Sequence, residues 1–200
     1  MKFLTLEGVD GAGKSTHIEF IADAVRAKGA HVIVTREPGG TELAERLRQT
    51  ILAEPMPPIL ETLLMLAARA DHVTRVIKPA LAAGHFVICD RFSDATVAYQ
   101  GAGKGVSAEL IAQLAKAAHP GLKPDRTLVF DCPYEVASAR LAKAGRALDR
   151  FEREDRAFFE RVRSAYLALA KSEPARVRVI DASANVAAVR QQIQSALQGP

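Results

Sequence analysis

Short apolar runs alternate with longer amphipathic segments along the whole chain. The apolar runs cover residues 2–6, 31–35, 85–89, 126–130 and 177–180. Runs of this length without polar alternation are typical of strands that are buried on both faces of a parallel sheet. Between the runs, apolar residues recur every three or four positions, as expected for one face of a helix. The pattern therefore predicts an α/β fold, with a five-stranded parallel sheet flanked by helices on both faces.

Three breakers modify this helical pattern. A proline-rich segment at 55–58 interrupts the helical region that starts near residue 41. Pro79 is predicted to kink or split a long helix over residues 59–83, because proline cannot donate the hydrogen bond that a helix interior requires. The sequence GAGKG at 101–105, after a short helix near 93–100, predicts a flexible loop.

Length and composition indicate one globular domain over residues 1–200. Hydrophobic residues make up 48% of the chain and charged residues 25%, and there is no repeat or low-complexity tract. We expect no signal peptide at the N-terminus, and no apolar run approaches the ~18 residues that a membrane-spanning helix needs. Cys89 and Cys132 follow or end predicted core strands, so we expect buried free thiols and a cytoplasmic location.

The net charge of +4 does not by itself predict a nucleic-acid partner. Lysines and arginines are scattered among carboxylates, and no long basic run occurs. Where lysines and arginines do cluster, they lie beside predicted loops at the end of the sheet where we expect phosphates to bind. Small polyanionic substrates explain the excess charge, and we expect neither nucleic-acid nor membrane binding.

The strongest motif is EGVDGAGKST at residues 7–16, which fits the P-loop pattern between a predicted strand and a predicted helix. Glycines let successive backbone amides converge on phosphate oxygens, and the following helix start and Lys14 add positive charge. Ser15 is expected to ligate the magnesium ion that bridges the phosphates of a nucleoside triphosphate. The predicted triphosphate site consists of Gly8, Val9, Asp10, Gly11, Ala12, Gly13, Lys14, Ser15 and Thr16.

The third apolar run ends in Asp90 and Arg91. A carboxylate at the end of a buried strand is what a P-loop site needs near its magnesium, either as a direct ligand or through water. Arg91 would then face a phosphate. Because ligands of open parallel sheets bind beyond the carboxyl ends of the strands, we expect these residues and the P-loop at one edge of the sheet.

A GTPase-type switch, which would be a binding module rather than a metabolic enzyme, is the main rival interpretation. Such proteins recognise guanine through an Asn-Lys-x-Asp motif late in the chain. Here Asn185 is the only asparagine, and Val186 follows it. A compact chain of 200 residues without that motif favours a small kinase.

Five segments in order resemble the bacterial thymidylate kinases, and the resemblance covers essentially the whole chain. The segments are EGVDGAGKST, TREPGGTELAERLR (35–48), LLMLAAR (63–69), CDRFSDATVAYQGAGKG (89–105) and GRALDRFERED (145–155). The resemblance implies transfer of the γ-phosphoryl group of MgATP to thymidine monophosphate (dTMP). It also implies a homodimer and a mobile lid over the triphosphate, at residues 142–153 of this chain.

The same resemblance assigns roles in the acceptor site. It implies that Asp10 lies near the 3′-hydroxyl of the acceptor sugar and that Arg91 holds the acceptor phosphate. Tyr99 would pack beneath the deoxyribose, where a 2′-hydroxyl would clash, and Arg69 would hydrogen-bond the thymine ring.

Further acceptor residues follow from the resemblance, with one departure. Glu37 with Pro38 resembles a turn that shapes the acceptor site, and Thr96 and Gln100 belong to the same set. Many relatives carry a phenylalanine that stacks on thymine where this chain has Met65. Methionine is polarizable and can also pack against a ring face, so we expect Met65 to contact the base.

The P-loop has no cation between Gly8 and Gly13, whereas some relatives carry an arginine there. The charge on the transferring phosphoryl group must therefore be met from elsewhere. Relatives without that arginine carry lid arginines, which makes Arg146 our first choice and Arg150 our second. Together with Lys14 and Arg91, these residues form the predicted catalytic set.

A phosphate acceptor needs no general base, because its oxygen is already ionised. Catalysis then reduces to alignment and charge neutralisation, and none of the five histidines needs a role. A deoxynucleoside kinase, by contrast, must activate a hydroxyl with a carboxylate. Glu37 could serve as that carboxylate, which keeps a deoxynucleoside kinase open as an alternative.

Overall fold

The computed structural model describes residues 1–198, so residues 199 and 200 of the predicted domain lie outside the described part. Five parallel strands form one sheet in the order β2-β3-β1-β4-β5, which confirms the predicted fold class. The strands are β1 Phe3–Gly8, β2 Val32–Arg36, β3 Phe86–Asp90, β4 Arg126–Asp131 and β5 Val177–Asp181. Each ends one or two residues later than predicted, which brings Asp90 into β3.

Helices cover both faces of this sheet. A 3-10 turn at Lys14–His17 leads from the P-loop into α1. Side chains of Thr41, Ser107 and Asp155 each accept a hydrogen bond from a backbone N–H three residues later, which caps α2, α6 and α8 at their starts. The α-helices are α1 Ile18–Arg26, α2 Glu42–Ala53, α3 Pro58–His72, α4 Lys78–Ala82, α5 Ser93–Thr96, α6 Ala108–Ala118, α7 Tyr134–Lys143, α8 Arg156–Ser172 and α9 Val186–Gln198.

The helical path continues past Pro79 through a π-helical turn. The turn spans Val73–Ile77 between α3 and α4, and the N–H of Lys78 donates to the carbonyl of Val73. Such a turn widens the hydrogen-bonding pattern immediately before a proline that cannot donate. The predicted disruption at Pro79 is therefore a local change of helix type between two α-helical segments.

The prediction of a flexible loop over residues 101–105 is wrong for its first part. A π-helical segment at Val97–Gly103 continues directly from α5. Gly103 packs against the ring of Phe158 on α8, where an added Cβ would lie 2.6 Å from a ring carbon. The glycine here permits close packing between two helical segments instead of loop mobility.

The core lies on the two faces of the sheet, as the alternation along the strands requires. Leu4 and Leu6 of β1 belong to the larger cluster, which includes residues of α1, α8 and α9. Phe3 and Cys89 belong to the second cluster, under the helical stretch before β3. Cys89 and Cys132 are both buried and free, as predicted.

Strand register brings the predicted site residues to one edge of the sheet. Leu6 pairs with Asp90, and Gly8 pairs with Phe130. The carboxyl ends of β1, β3 and β4 therefore meet there, at the edge where parallel sheets bind ligands. Within residues 1–198, no helix has the length and hydropathy that crossing a bilayer requires.

Candidate active site

The P-loop turns tightly after β1, and its lysine folds back over it. Gly8 has φ of 129°, and a Cβ at this position would collide with the carbonyl of Phe130. The buried ammonium group of Lys14 donates to the carbonyls of Gly8 and Val9, each at 3.0 Å. Burial and the neighbouring Arg91 lower the pKa of Lys14, although nearby carboxylates oppose the shift. The loop thus holds the side chain of Lys14 against its own first carbonyls.

An open cavity lies over this loop, and we call it the triphosphate cavity after the site that the sequence predicts there. Gly8 and Val9 of the predicted triphosphate site do not line it and instead provide carbonyls to Lys14. Beyond the P-loop, Arg140 lies along its wall and donates to the carbonyls of Ala12 and Ala182. The predicted residues that line it are Asp10, Gly11, Ala12, Gly13, Lys14, Ser15, Thr16, Glu37, Asp90, Arg91 and Arg146.

Two oxygen ligands suited to magnesium lie in this cavity. Ser15 and Asp90 both line it, as the sequence predicts. One carboxylate oxygen of Asp90, Oδ1, is buried and has no hydrogen-bond partner among residues 1–198. An unpaired buried carboxylate oxygen is costly unless a cation or water satisfies it, and Mg²⁺ prefers such hard oxygen ligands. These two residues therefore fit a magnesium ion.

A second cavity, which we call the acceptor cavity after the site that the sequence predicts there, shares lining residues with the first. Every residue that the sequence assigned to the acceptor site lines it. They are Asp10, Glu37, Pro38, Met65, Arg69, Arg91, Thr96, Tyr99 and Gln100.

Arg91 joins the two cavities through a cluster of short contacts. Its guanidinium forms an ion pair with Asp10 at 2.7 Å and donates to the Tyr99 hydroxyl at 3.0 Å. It also donates to the carbonyl of Gly8 at 2.9 Å. The Tyr99 hydroxyl donates in turn to the second oxygen of Asp10. Asp10 and Arg91 line both cavities, so this cluster marks the point where their contents would meet.

Asp10 is ionised within this cluster. Burial raises the pKa of Asp10, but the charges of Arg91 and Lys14 and the hydrogen bond from Tyr99 outweigh burial and hold the pKa below its usual range. A carboxylate held in this way can accept a hydrogen bond from a sugar hydroxyl. Proton abstraction is not its natural role, because a depressed pKa makes it a weak base.

Arg69 is oriented by a buried chain of polar groups. Its Nε donates to Glu37 at 2.5 Å, and His72 shares the other oxygen of Glu37 at 2.9 Å. The far ring nitrogen of His72 contacts the Thr35 hydroxyl at 2.7 Å. Arg69 is only 3% exposed, and its Nη1 has no partner among residues 1–198. That nitrogen is a spare donor on a residue that lines the acceptor cavity.

The same chain of contacts removes Glu37 from consideration as a general base. Both of its oxygens are engaged, by Arg69 and by His72. Burial raises the pKa of Glu37, but the Arg69 charge and the His72 hydrogen bond outweigh burial and lower the pKa. A deoxynucleoside kinase would need a free carboxylate of raised pKa at this place.

The two arginines of the predicted lid occupy different positions. Arg146 lines the triphosphate cavity and pairs with Glu152 at 2.5 Å, with its side chain 55% exposed. Arg150 does not line that cavity. It pairs instead with Glu61 of α3 at 2.5 Å and lies over the ring of Phe151. This arrangement favours Arg146 as the arginine that faces the phosphates.

Several residues that line the cavities were not assigned from the sequence. Arg48 and Asp149 line both cavities, and Arg48 donates to the Pro38 carbonyl at 3.1 Å. Phe151 lines the acceptor cavity, with its ring edge-on to Tyr99. Arg48 is the last residue of the segment TREPGGTELAERLR, and Phe151 lies in GRALDRFERED, so the motifs contained them without indicating a role.

Glu7, at the end of β1, is a fully buried carboxyl group beneath this site. It accepts hydrogen bonds from the Phe92 N–H and the Tyr166 hydroxyl. Burial and the neighbouring Asp94 raise the pKa of Glu7 from 4.5 to about 8, against the opposing charge of Arg91. The folded protein therefore binds a proton at Glu7 that the unfolded chain releases at much lower pH.

This raised pKa predicts how Glu7→Gln changes the pH dependence of stability. Between pH 4.5 and about 8, only the folded state retains the proton on Glu7. The contribution of Glu7 to the free energy of unfolding therefore falls as pH rises. This contribution changes by at most ~1.4 kcal/mol per pH unit, and it is absent from the glutamine variant, whose side chain does not titrate. Urea unfolding of both proteins from pH 5 to pH 8 should show the variant gaining relative stability. Parallel curves for the two proteins would contradict this.

Comparisons with known proteins identify a family over nearly the whole chain. A family model described as "Thymidylate kinase" matches residues 6–193. The thymidylate kinase of Bordetella petrii is 57% identical over 98% of this chain and 95% of its own length. That of Pseudomonas syringae pv. tomato is 54% identical over 98% of this chain and 94% of its own.

A solved structure agrees with these matches. The crystal structure of thymidylate kinase from Ehrlichia chaffeensis superposes with a TM-score of 0.80 at 34% identity, covering 98% of each chain. The match extends over the whole sheet, the P-loop and the acceptor cavity, since it spans nearly every residue. By its motifs, its fold and its relatives, the chain belongs to the thymidylate kinase family.

Proposed function

We propose that this protein transfers the γ-phosphoryl group of MgATP to dTMP, giving thymidine diphosphate (dTDP) and ADP. The observation that carries the proposal is the junction of two cavities at Asp10 and Arg91. One cavity has the P-loop that binds a triphosphate, and the other has polar groups suited to a nucleoside monophosphate. A phosphoryl group passing between them would travel a short distance past Arg91, which lines both cavities.

The proposed reaction uses charges already in place. Lys14 and the P-loop amides would hold the β- and γ-phosphates, while Arg91 would turn from Asp10 toward the acceptor phosphate. Arg146 would neutralise charge on the transferring phosphoryl group. Ser15 and Asp90 would hold magnesium, which supplies further charge neutralisation at the phosphates. No general base is needed, because the attacking oxygen is an ionised phosphate oxygen.

The walls of the acceptor cavity suit a thymine nucleotide. The spare Nη1 of Arg69 can donate to a carbonyl oxygen of the base, and Met65 can pack against its face. Asp10 is free to accept from the 3′-hydroxyl once Arg91 engages the phosphate. Thr96 and Gln100 complete the polar wall, and the Pro38 turn borders the phosphate side.

An ADP-release assay with MgATP and a panel of acceptors tests this proposal. The panel contains thymidine, dTMP and the monophosphates of uridine, cytidine and adenosine. We expect strong turnover with dTMP and little with thymidine, because the cavity offers a phosphate site and no general base. Efficient phosphorylation of thymidine would instead support the deoxynucleoside kinase, and GTP hydrolysis without an acceptor would support a switch protein.

Tyr99 provides a test of sugar selectivity. Its ring lies in the acceptor cavity between the rings of Phe151, Phe158 and Tyr166. Tyr99→Phe retains the ring and should keep most of the preference for deoxyribose. Tyr99→Ala should narrow the preference for deoxy over ribo acceptors by ~1–3 kcal/mol, the range for a small steric group in a pocket. Competition between dTMP and its ribose analogue measures this, and unchanged selectivity in Tyr99→Ala would reject the steric role.

Three broader expectations belong to the same proposal. The chain would act as one domain with a lid at residues 142–153, and as a homodimer in the cytoplasm. Buried free thiols are compatible with a reducing compartment. A dimer is supported by exposed apolar side chains on neighbouring helices α2 and α3, and sedimentation would distinguish 21.5 kDa from twice that mass. These side chains are Leu43, Ile59, Leu60 and Leu63.

A further inference from the structure

A buried carboxylate outside the proposed chemistry holds the lid. Glu61, in the first turn of α3, has no exposed surface. One of its oxygens accepts a hydrogen bond from the Gln100 amide at 2.8 Å. The other contacts Lys104 at 2.8 Å and Arg150 at 2.5 Å. Glu61 therefore connects α3, the π-helical segment of the acceptor wall and the lid.

The contacts of Arg150 attach the C-terminal half of the lid to the acceptor side of the protein. Besides pairing with Glu61, Arg150 donates to the carbonyl of Ile51 near the end of α2. Its guanidinium and the ammonium of Lys104 both lie over the ring of Phe151, at 4.4 and 4.6 Å from the ring centre. These contacts hold Phe151 as part of the wall of the acceptor cavity.

The residue that follows Phe151 extends the connection to the triphosphate cavity. Glu152 receives the guanidinium of Arg146 on both oxygens, at 2.5 and 2.8 Å. It also accepts from the backbone N–H of Asp149. Residues 150–152 thus run from the Glu61 anchor, through the acceptor wall, to the group that orients Arg146. Among the described residues, the only other hydrogen bond of the Arg146 guanidinium is to the carbonyl of the adjacent Ala147, at 3.1 Å.

A buried ion cluster of this kind is not needed for stability alone. Apolar side chains of similar volume usually stabilise a core as well as a buried ion pair does, because the ions lose hydration. What the cluster adds is geometry, since a carboxylate with three defined donors accepts only one arrangement of its partners. The arrangement it imposes here is that of the lid relative to the acceptor cavity.

We propose that Glu61 is a positioning residue that couples the acceptor cavity to the lid. A nucleotide that contacts Gln100 and Phe151 would tighten the cluster around Glu61 and fix residues 150–152. The acceptor would thereby hold Arg146 more firmly over the phosphates. This inference rests on the proposed function, because it takes the occupant of the cavity to be dTMP. Glu61 would touch neither nucleotide.

The test combines kinetics with hydrogen exchange in Glu61→Gln and Arg150→Gln. Glu61→Gln keeps the size of the side chain and Arg150→Gln shortens it, and both remove the ion pair between the two residues. We expect kcat to fall about 10–100-fold, since small misplacement of a reacting group costs up to ~10²-fold, with KM for ATP nearly unchanged. In the wild type, dTMP alone should slow amide exchange over residues 146–153, and both variants should lose this protection.

Glu154→Gln is the matched control. Glu154 is a second, more exposed carboxylate near Lys104, at 3.6 Å, and it does not contact Arg150. This variant should keep wild-type kcat and wild-type protection of the lid by dTMP. Loss of protection in Glu154→Gln equal to that in Glu61→Gln would overturn the specific role of Glu61.

The remaining outcomes separate this inference from the proposed function. Lid protection by dTMP that persists in Glu61→Gln and Arg150→Gln overturns the coupling. If Glu61→Gln does not fold, Arg150→Gln decides alone, and wild-type kcat with intact protection in that variant rejects the inference. A wild-type protein that phosphorylates no dTMP contradicts the proposed function. Protection by dTMP that depends on Glu61 would still support the coupling in that case.

Discussion

Replacing Arg146 by alanine should lower kcat about 10²–10⁴-fold, near the range for arginines that stabilise a transferring phosphoryl group. The P-loop supplies no cation between Gly8 and Gly13, so the developing charge must be met from elsewhere, and Arg146 of the predicted lid is our first choice. Arg146 is the lid arginine that lines the triphosphate cavity. Its side chain is 55% exposed, so its loss should barely change the affinity for dTMP or the melting temperature.

Arg153→Ala is the control for this result. Arg153 is an exposed arginine in the same segment and lines neither cavity. Steady-state kinetics should show near-normal kcat for Arg153→Ala and a large loss for Arg146→Ala. Near-normal kcat in Arg146→Ala would transfer the role to Arg150. Normal rates in both single variants and in the double variant would remove the lid arginines from the mechanism.

Replacing Arg91 by methionine should lower kcat/KM for dTMP by about 10³-fold. The change removes the charge that would bind the acceptor phosphate. It also leaves Asp10, whose side chain is 30% exposed, without its ion-pair partner, at a cost below the ~3–5 kcal/mol typical of fully buried pairs. Unlike the lid variant, Arg91→Met should therefore also lower the free energy of unfolding.

Two further variants serve as controls for Arg91→Met: a conservative replacement at the same position and the loss of a surface arginine elsewhere. Arg91→Lys should recover only part of the activity, because an ammonium cannot reproduce the separate contacts to Asp10, Tyr99 and Gly8. Arg75→Ala removes an arginine whose side chain is 70% exposed and forms a surface ion pair. This change should alter the free energy of unfolding by no more than ~1 kcal/mol. A kcat/KM for Arg91→Met within tenfold of wild type would separate Arg91 from phosphate binding.

Strand positions and the P-loop could be predicted because their signals are local. Buried parallel strands produce continuous apolar runs, and Gly8, Gly13, Lys14 and Ser15 follow one another in a short segment. The π-helical segment at Val97–Gly103 could not be predicted in this way. Its glycines are usually a loop signal, and their packing against α8 depends on a helix far along the chain.

The acceptor site shows the other limit of sequence reasoning. Its residues come from separate segments, and a family resemblance was needed to group them. Even with the resemblance, the sequence did not predict which distant residues contact these side chains. Neither the His72 contact that orients Glu37 nor the Glu61 pair that holds Arg150 has a spacing signal, because each joins segments that approach only in the folded protein.

Following the γ-phosphate of ATP tests the central claim most directly. The wild-type protein is incubated with magnesium, unlabelled dTMP and ATP that carries a radioactive γ-phosphate, and the nucleotides are separated. The account predicts that the label appears in dTDP, with one ADP formed for each dTDP, because the two cavities meet at Asp10 and Arg91. Label that appears only in inorganic phosphate, or dTMP that stays unlabelled while thymidine is phosphorylated, would contradict it.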